Sequence, residues 1–337
     1  MTRPLIVIPM GDPAGIGPEI VLGALADDRL HQAARLLVVG DADVLERALH
    51  YPNAPRLSLR LVRNPDEGDY QAGLINAIDL KAMDAGALIP GRIDARCGRA
   101  AYQYIQKAVT LCLADEADVV ATPPINKESL KAAGIPYIGH TEIFAALTGT
   151  PDPLTLFEVR GMRVFFLSRH VSLRQACDLV KKDRIADYAR RAWRVLRQLG
   201  VTGGTMAIAG LNPHCGENGL FGDEEVKEII PAVRALQAEG LKVAGPIGAD
   251  SVFAQALEGR YNSVLSLYHD QGHIATKTVD FHRTVSLTCG MPILRTSVDH
   301  GTAFDIAGKG LASPISMAEA IRVAVKYAPY YRKEEIA

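Results

Sequence analysis

The fold is decided by a pattern that first appears in LIVIPM at residues 5–10, followed by GDPAGIGP at residues 11–18. The first stretch is a short apolar run of the kind that forms a buried strand. The second stretch is a loop rich in glycine and proline. Pro18 suits the first position of a helix, because the N–H that proline lacks would have no intrahelical partner there. A strand, a loop and a helix in this order begin a βα unit.

The same alternation of short apolar runs and helical patterns continues along the chain. Leu36–Val39 and Asp118–Ala121 are predicted strands, and Gly98–Ala114 and Asp183–Leu199 are predicted helices. Asp183 is placed to cap the first turn of the second helix. One face of that helix is apolar and consists of Ile185, Tyr188, Ala192, Val195 and Leu199. The alternation predicts an α/β protein with a largely parallel sheet.

The middle of the chain departs from this pattern. Leu154–Val159 and Met162–Leu167 flank Arg160-Gly161, two residues suited to a tight reversal, so an antiparallel hairpin is predicted. A hairpin inside an otherwise parallel pattern indicates a second α/β domain inserted in the chain. The predicted bounds are 1–135 with 276–337 for one domain and 136–275 for the other.

Composition argues against several classes of function. Lys and Arg number 37 against 38 Asp and Glu, so no basic excess favours nucleic acid or a membrane surface, and a small-molecule ligand is expected. The apolar run after Met1-Thr2-Arg3-Pro4 is too short for a signal peptide, and no later run approaches the roughly 20 residues that span a bilayer. A cytoplasmic protein is therefore expected. The five cysteines contain no CxxC pair, which argues against a disulfide framework.

Three of the nine histidines follow closely after strongly apolar runs. They are His170 after Val164–Ser168, His214 after Met206–Leu211 and His269 after Val264–Leu267. The ligand crevice of an open α/β sheet lies outside the carboxyl ends of its strands, so these side chains are expected to converge. Three neutral imidazoles suit zinc or a similar divalent ion, and Asp250 and Asp270 are candidates for supporting hydrogen bonds. For each histidine taken singly, an ordinary hydrogen-bonded role is the alternative.

Polar residues are dense in YHDQGHIATK at 268–277 and RTSVDHGTAFDIAGKG at 295–310. Lys277 and Arg295 suit an anionic substrate, since arginine offers a bidentate fork and lysine a point charge. As isolated residues they would be surface charges.

Two loops have less specific patterns. GDPAGIGP lies where an anion-binding loop would lie, but it has neither the GxGxxG nor the P-loop spacing, and a structural βα turn is the alternative. GHTE at 139–142 is predicted to run into a helix with Thr141 as its N-cap.

Together these motifs resemble the 4-hydroxythreonine-4-phosphate dehydrogenases of pyridoxal phosphate biosynthesis and their paralogues, over nearly the whole chain. Several motifs occur in the family's order: GDPAGIGPE at 11–19, ATPPINK at 121–127, GHTE at 139–142, LNPHCGE at 211–217, YHDQG at 268–272 and RTSVDHGTA at 295–303. HGTAFDIAGKG at 300–310 also resembles, more distantly, the adenosine-binding loop of isocitrate and isopropylmalate dehydrogenases. That likeness implies their fold, two α/β domains with a central cleft.

The resemblance implies a role for each motif. A divalent metal (Zn, Mg, Mn or Co) would be held by His170, His214 and His269, in a site shared across a homodimer. Substrate contacts are implied for His140, Thr141, Lys277, Ser286 and Arg295, with Lys277 and Asp250 as catalytic residues. NAD or NADP would contact His300, Gly301, Thr302, Ala303 and Asp305. The domain formed by 1–135 and 276–337 would be the nucleotide side, and 136–275 would carry metal, substrate and dimer contacts.

Three positions bear on the substrate. Ser286 stands where the biosynthetic enzymes typically have Asn, and His273-Ile274 and ENGLFGDEE at 217–225 resemble a paralogous branch that acts on D-threonate or D-erythronate 4-phosphate. The expected reaction is therefore NAD-dependent, metal-dependent oxidative decarboxylation of a phosphorylated four-carbon 3-hydroxy acid. The alternative is a decarboxylating cis-dihydrodiol dehydrogenase of terephthalate-type aromatic degradation, a branch that shares HDQGH. A metal-dependent aldolase or hydrolase without NAD, and a non-catalytic sugar-acid phosphate binder, are further alternatives.

Overall fold

The computed structural model describes residues 3–331. Met1 and Thr2 lie outside the described residues. They belong to the amino-terminal segment that was judged too short for a signal peptide. The strands are β1 (Leu5–Pro9), β2 (Arg35–Gly40), β3 (Ser58–Leu61), β4 (Leu74–Asp79), β5 (Val119–Thr122), β6 (Leu154–Val159), β7 (Met162–Phe166), β8 (Met206–Ala209), β9 (Val243–Ile247), β10 (Ser263–Ser266), β11 (Val285–Cys289) and β12 (Leu294–Val298).

Helices alternate with these strands. They are α1 (Gly17–Leu25), α2 (Asp28–Ala33), α3 (Ala42–Ala48), α4 (Ala95–Leu113), α5 (Lys127–Ala132), α6 (His140–Thr148), α7 (Leu173–Asp178), α8 (Lys182–Gln198), α9 (Ile230–Ala238), α10 (Val252–Leu257), α11 (His269–Val279) and α12 (Ile315–Tyr327). A π-helical segment, Glu225–Ile229, leads into α9, and a 3-10 segment spans Pro213–Gly219. Within residues 3–331 no helix has both the length and the apolar character needed to cross a membrane.

The first of two compact units consists of the described residues up to Pro153 and from Val285 onward. Its strand order is β3-β4-β2-β1-β5-β12-β11. All neighbours are parallel except β11 and β12, whose antiparallel register places Thr288 opposite Arg295. Every residue of β1 is buried, because strands flank it on both edges and α4 and α12 lie against it. The near-continuous apolar sequence of β1 therefore matches a strand that is covered on both faces.

The second unit is Leu154–Thr284, with strand order β6-β7-β10-β8-β9. The predicted hairpin is confirmed: β6 and β7 are antiparallel, with Val159 opposite Met162. Arg160 and Gly161 between them have φ of +47° and +85°. A positive φ at both central residues gives a turn whose twist matches that of the strands. The other neighbours in this unit are parallel.

The predicted α/β class with two α/β domains is confirmed, but the division of the chain differs from the predicted bounds. Residues 136–153 belong to the first unit, since α6 lies against α4. Residues 276–284 belong to the second unit, because α11 continues to Val279 and the Thr284 hydroxyl donates to the carbonyls of Thr276 and Asp280.

The predicted helices at 98–114 and 183–199 are present as α4 and α8, but one predicted cap is wrong. Helix α8 begins at Lys182, one residue before Asp183, and the Lys182 amide donates to the Glu228 carboxylate at 2.8 Å. A side chain distant in sequence therefore caps this helix. Pro18 is likewise the second residue of α1 and not the first.

The GDPAGIGP loop contains a fully buried carboxylate. Asp12 is 0% exposed, and its Oδ1 accepts a hydrogen bond from the Ala14 amide at 2.9 Å. The Asp12 amide donates to the Pro124 carbonyl at 3.2 Å. At Gly11, where φ is +80°, a Cβ atom would lie 2.7 Å from that carbonyl. The loop is thus packed against the 121–127 segment, as expected of a structural βα turn.

We predict that replacing Asp12 by Asn makes the protein more stable at neutral pH. Burial raises the pKa of Asp12 to about 6, so the folded state binds the carboxyl proton of Asp12 more tightly than the unfolded state does. The free energy of unfolding therefore falls as the pH rises from about 4 to about 6. At about 1.4 kcal/mol per pKa unit, the penalty above pH 6 is on the order of 3 kcal/mol. Asn keeps the acceptor for Ala14 without the charge.

The measurement is the calorimetric difference in stability between Asp12→Asn and wild type at several pH values from 4 to 8. We expect the difference to grow between pH 4 and 6 and then to level off. Asp43→Asn, at an exposed position of the same unit, is the control. A difference that does not change with pH would contradict the prediction.

Candidate functional site

The three strands that precede the selected histidines are neighbours in the second unit. β10 lies between β7 and β8 and is parallel to both, with Val264 opposite Val164 on one side and Ala207 on the other. Parallel neighbours end at the same edge of a sheet, so the segments that follow them begin close together. Those segments contain His170, His214 and His269.

Two of these histidines lie close together. The ring centroids of His170 and His269 are 6.1 Å apart, and both residues line a cavity of about 310 Å³. His269 Nδ1 lies 2.6 Å from Asp270 Oδ1, as expected of a supporting carboxylate. That contact places the ring proton on Nδ1 and leaves Nε2 as the nitrogen available to a ligand. The rest of the cavity is lined by Arg169, Val171, Leu173, Ala176, Tyr268 and Asp270.

The third histidine does not join this pair. His214 lies in a turn where every residue from 214 to 218 has positive φ, and its ring centroid is 6.5 Å from that of Phe221. Throughout residues 3–331 no three His, Cys, Asp or Glu side chains are grouped closely enough to hold a metal ion. Of the predicted three-histidine set, the structure therefore brings only His170 and His269 together.

A buried carboxylate holds the turn that carries His214. Glu225 is 0% exposed, and its Oε1 accepts from the amides of Leu211 and Asn212 at 2.7 Å each. Its Oε2 accepts from Asn212 Nδ2 at 2.8 Å. A Cβ atom on Gly222 would lie 2.5 Å from that same Nδ2, so only glycine fits there. Sequence reasoning missed Glu225, although the glycines around it signalled close packing.

Asp250 lies near the same turn and is exposed in the loop before α10. Burial, then the charges of Glu225 and Asp250, raise the pKa of the Cys215 thiol. Cys215 directly follows His214, so the carboxylate of Asp250 is close to the segment from which His214 projects.

Two buried polar side chains fix the ends of the three strands. Gln271 Oε1 accepts from the Leu267 amide at 2.7 Å, and its Nε2 donates to the Gly210 carbonyl at 2.8 Å. Ser168 Oγ donates to the Leu267 carbonyl at 2.9 Å. The segments after β7, β10 and β8 are thus tied together. Sequence reasoning missed Gln271, which lies in the same HDQG motif as His269 and gave no separate signal.

Helix α11 carries three basic side chains at intervals of four residues: His269, His273 and Lys277. The His269 and His273 rings are stacked, with centroids 3.8 Å apart and an angle of 14° between their planes. Burial, and then the nearby His269 and Lys277, lower the pKa of His273 to about 3, so its imidazole is neutral. Lys277 Nζ lies 5.2 Å from the centroid of the Phe281 ring.

Arg295 is the main candidate site residue of the first unit. It is 4% exposed, its Nε donates to Thr122 Oγ1 at 2.9 Å, and its Nη1 donates to Thr288 Oγ1 at 2.9 Å. Its guanidinium carbon lies 5.4 Å from the Phe144 ring centroid. Burial lowers the pKa of Arg295 to about 9, so it remains charged at neutral pH. The charge of the Glu142 carboxylate is near enough to raise the pKa of Arg295, but by less than burial lowers it.

His140 lies close to this arginine. Burial, and the charge of Arg295, hold the pKa of His140 well below its usual range. Its Nε2 is buried and has no hydrogen-bond partner in the described part of the chain. Thr141 is the second residue of α6 and the N-cap is Gly139, so the predicted cap at Thr141 is wrong. The helix begins at His140, two residues earlier than a cap at Thr141 would require, and Gly139 before it is extended.

Ser286 lies on the same face of the β11–β12 pair as Arg295. It is opposite Ser297 in the register, and Thr288, two residues further along β11, is opposite Arg295. Side chains two residues apart on a strand share a face. Of the substrate positions predicted in this unit, Ser286 and Arg295 thus share one face of the strand pair, and His140 is close to Arg295.

The predicted nucleotide residues His300, Gly301, Thr302, Ala303 and Asp305 lie on a loop that is fastened to the GDPAGIGPE segment. Glu19 Oε1 and Oε2 accept from the amides of Gly308 and Gly310 at 2.6 and 2.9 Å. The Ile16 amide donates to the Thr302 carbonyl at 3.0 Å. His300 Nε2 lies 2.7 Å from Ser316 Oγ. The two motifs form one fixed platform.

Comparison with known proteins gives consistent matches. Residues 32–324 match the family described as pyridoxal phosphate biosynthetic protein PdxA. A Clostridium botulinum protein provisionally named D-threonate 4-phosphate dehydrogenase is 57% identical over 331 residues, covering 98% of this chain and 99% of the relative. A Fusobacterium nucleatum protein with the same name is 56% identical over 330 residues, with the same shares covered.

Solved structures separate the two predicted branches. 4-Hydroxythreonine-4-phosphate dehydrogenase from Klebsiella pneumoniae has a TM-score of 0.90 at 44% identity, with 97% of this chain and 100% of that chain covered. Terephthalate 1,2-cis-dihydrodiol dehydrogenase from Burkholderia xenovorans has a TM-score of 0.66 at 30% identity, with 96% and 98% covered. The aromatic branch is therefore not favoured. With a match over most of its length and relatives above half identity, this chain belongs to the pyridoxal phosphate biosynthetic protein PdxA family of dehydrogenases.

Proposed function

We propose that this dehydrogenase oxidises a hydroxyl of a phosphorylated four-carbon 3-hydroxy acid, with NAD or NADP as hydride acceptor, and that decarboxylation follows. D-Threonate 4-phosphate is the first candidate substrate, given the names of relatives at 57% and 56% identity. D-Erythronate 4-phosphate and 4-hydroxythreonine 4-phosphate are the next candidates. The observation that carries the proposal is Arg295, a buried cation whose guanidinium is held by two neutral threonine hydroxyls.

Arg295 is suited to a phosphate for a physical reason. A guanidinium has five N–H donors, and the hydroxyls of Thr122 and Thr288 each accept from one, so three remain for a ligand. The hydroxyls fix the orientation of the fork but do not neutralise its charge. A buried charge is costly unless an anion pairs with it, and a phosphate supplies that anion with bidentate geometry. His140 Nε2 and the Ser286 hydroxyl are further polar groups for the same ligand.

For the metal, we propose His170, His269 and His214 as ligands. The donor set fits Zn, Mg, Mn or Co in part: two imidazoles lie together at the cavity, and Asp270 orients one of them. His214, on the segment that follows β8, is the proposed third ligand. When bound, a divalent ion would act as a Lewis acid toward substrate oxygens.

The remaining roles are assigned to neighbouring groups. Lys277 Nζ, on the same face of α11 as His269, and the Asp250 carboxylate are the proposed carriers of the proton that leaves the substrate hydroxyl. The loop at 300–310, held by Glu19, is the proposed nucleotide contact. Such a fixed loop binds without first being ordered, which lowers the entropic cost of nucleotide binding.

We further propose that the protein is a homodimer in which a second subunit completes the site. We also propose that it acts in the cytoplasm, in pyridoxine biosynthesis or in a paralogous route that degrades sugar acids. Large apolar side chains are exposed beside two of the proposed ligands. Val171 and Leu173 follow His170, and Leu220 and Phe221, which are 74% and 50% exposed, lie on the His214 side. Exposed apolar groups beside a site suit burial against another chain.

The first prediction from the proposed function concerns the three histidines. Replacing His170, His214 or His269 by Ala should abolish most turnover and reduce bound metal without unfolding the protein, because each removes one imidazole donor. Metal content, steady-state rate and melting temperature are measured together for each variant. His282→Ala, which removes an exposed imidazole of the same unit, is the control. Full metal occupancy and normal activity in His214→Ala would exclude His214 from the set.

The second prediction concerns Arg295. Arg295→Leu removes two hydrogen bonds between the charged guanidinium and the phosphate, each contributing about 1.5–3 kcal/mol. On a phosphorylated substrate, the loss of transition-state stabilisation obtained from the ratio of kcat/KM values should therefore be on the order of 3–6 kcal/mol. A matched hydroxy acid without the phosphate should lose far less. The experiment compares kcat/KM of wild type and variant on both compounds. Equal losses, or a wild-type preference for the unphosphorylated acid, would show that Arg295 does not read phosphate.

The third prediction concerns assembly. The wild type should sediment as a dimer, and Phe221→Asp should weaken the dimer. The specific activity of the variant should then rise with protein concentration, because more of the subunits are paired. Leu61→Asp, at a residue 54% exposed in the first unit, is the matched control and should leave the dimer intact. Sedimentation that finds a fully active monomer at assay concentrations would refute the shared site.

A further inference from the structure

His273 occupies a cage of aromatic rings beneath His269. Its ring centroid lies 4.3 Å from that of Phe157, at an interplanar angle of 70°, and 4.8 Å from that of Phe166, at 44°. Phe157 and Phe166 are themselves 5.2 Å apart in an edge-to-face contact. These two phenylalanines are 3% and 4% exposed, so they are fixed in the core of the second unit. The cage therefore restricts the rotation of the His273 ring.

The backbone brings this cage close to α11. A Cβ atom on Gly272 would lie 2.5 Å from Phe166 Cε1 and 2.7 Å from Ser266 Oγ, so the helix can approach the strands only with glycine there. His273 and His269 are four residues apart and lie one above the other on the helix surface. The flat face of the caged His273 ring is thereby presented to His269, at 3.8 Å between centroids and 14° between planes.

His269 has two different restraints. The contact between its Nδ1 and Asp270 Oδ1 selects which ring nitrogen faces outward, but a single hydrogen bond allows the ring to pivot about it. Asp270 is itself exposed, with 71% of its side-chain surface accessible, and gives a compliant anchor. The stack on His273 restrains the ring plane instead. Both restraints are needed to point Nε2 in one direction.

We infer that His273 is a positioning residue: it fixes the ring plane of His269 so that Nε2 is presented toward the cavity in a single orientation. The inference rests on the proposed role of His269 as a metal ligand. His273 does not act as a ligand itself, because ring-nitrogen lone pairs lie in the ring plane and those of two nearly parallel rings do not converge on one ion.

The test compares wild type, His273→Ala, which removes the ring, and His273→Phe, which keeps a ring without nitrogens. The probe is Co²⁺, titrated through its visible absorption. Supporting groups around a metal ligand contribute about 10–100-fold in affinity, so we expect His273→Ala to bind Co²⁺ about 10-fold more weakly and His273→Phe to stay within about threefold of wild type. His282→Ala serves as the matched control. Near-UV circular dichroism verifies folding.

A second readout needs no metal. In protein labelled with ¹⁵N-histidine, long-range ¹H–¹⁵N spectra should show His269 with its proton on Nδ1 and sharp resonances in wild type and His273→Phe. In His273→Ala the resonances should broaden or shift as the ring reorients.

Each result decides the inference. Loss of Co²⁺ binding in both the Ala and Phe variants would overturn it, because His273 would then act through its nitrogens. Wild-type Co²⁺ affinity and unchanged His269 resonances in His273→Ala would also overturn it, since the ring would then only fill space. A wild type that does not bind Co²⁺ would refute the proposed metal role, whereas the ring orientation would still be decided by the metal-free spectra.

Discussion

The side-chain amide of Gln271 connects the two strand ends on which the site of the second unit depends. Its oxygen accepts from the segment after β10 and its nitrogen donates to the segment after β8. Because the amide is buried, neither bond is exchanged for a bond to water, and breaking one would leave an unsatisfied polar group. Ser168 extends the connection to β7. The histidines are therefore mounted on three strand ends that cannot move independently.

The two units contribute opposite kinds of binding chemistry. The first provides a buried positive charge oriented by two threonine hydroxyls, and beside it a histidine, His140, whose pKa is held well below its usual range by burial. The second provides two imidazoles in a cavity, one of them oriented by a carboxylate. A phosphate suits the buried guanidinium of the first unit, and a metal ion with its oxygen ligands suits the imidazoles of the second.

The sequence predicted the features that depend on the spacing of apolar residues and on residues that are neighbours in the chain. The hairpin at 154–166, the helices α4 and α8, and the placement of three histidines after parallel strands follow from local pattern, and each is present. It did not predict contacts between residues far apart in sequence. The Glu228 cap on α8 and the Glu225 bonds to the Leu211 and Asn212 amides each join separate segments. The turn at 214–218 was also missed, since four of its five residues are not glycine and gave no sign of positive φ.

The division of the chain has a consequence for how the protein is made. The second unit is continuous, from Leu154 to Thr284, whereas the first is built from two separate parts of the chain. In the first unit β12 lies between β5 and β11, and Glu19 accepts hydrogen bonds from the amides of Gly308 and Gly310. Synthesis proceeds from the amino terminus, and compact units fold as they emerge from the ribosome. The inner unit can close first, while the earlier-made β1–β5 segment remains incomplete, with the edge of β5 open until the last fifty or so residues arrive. For that interval the nascent chain has an exposed apolar strand edge, which is a natural point of action for a chaperone.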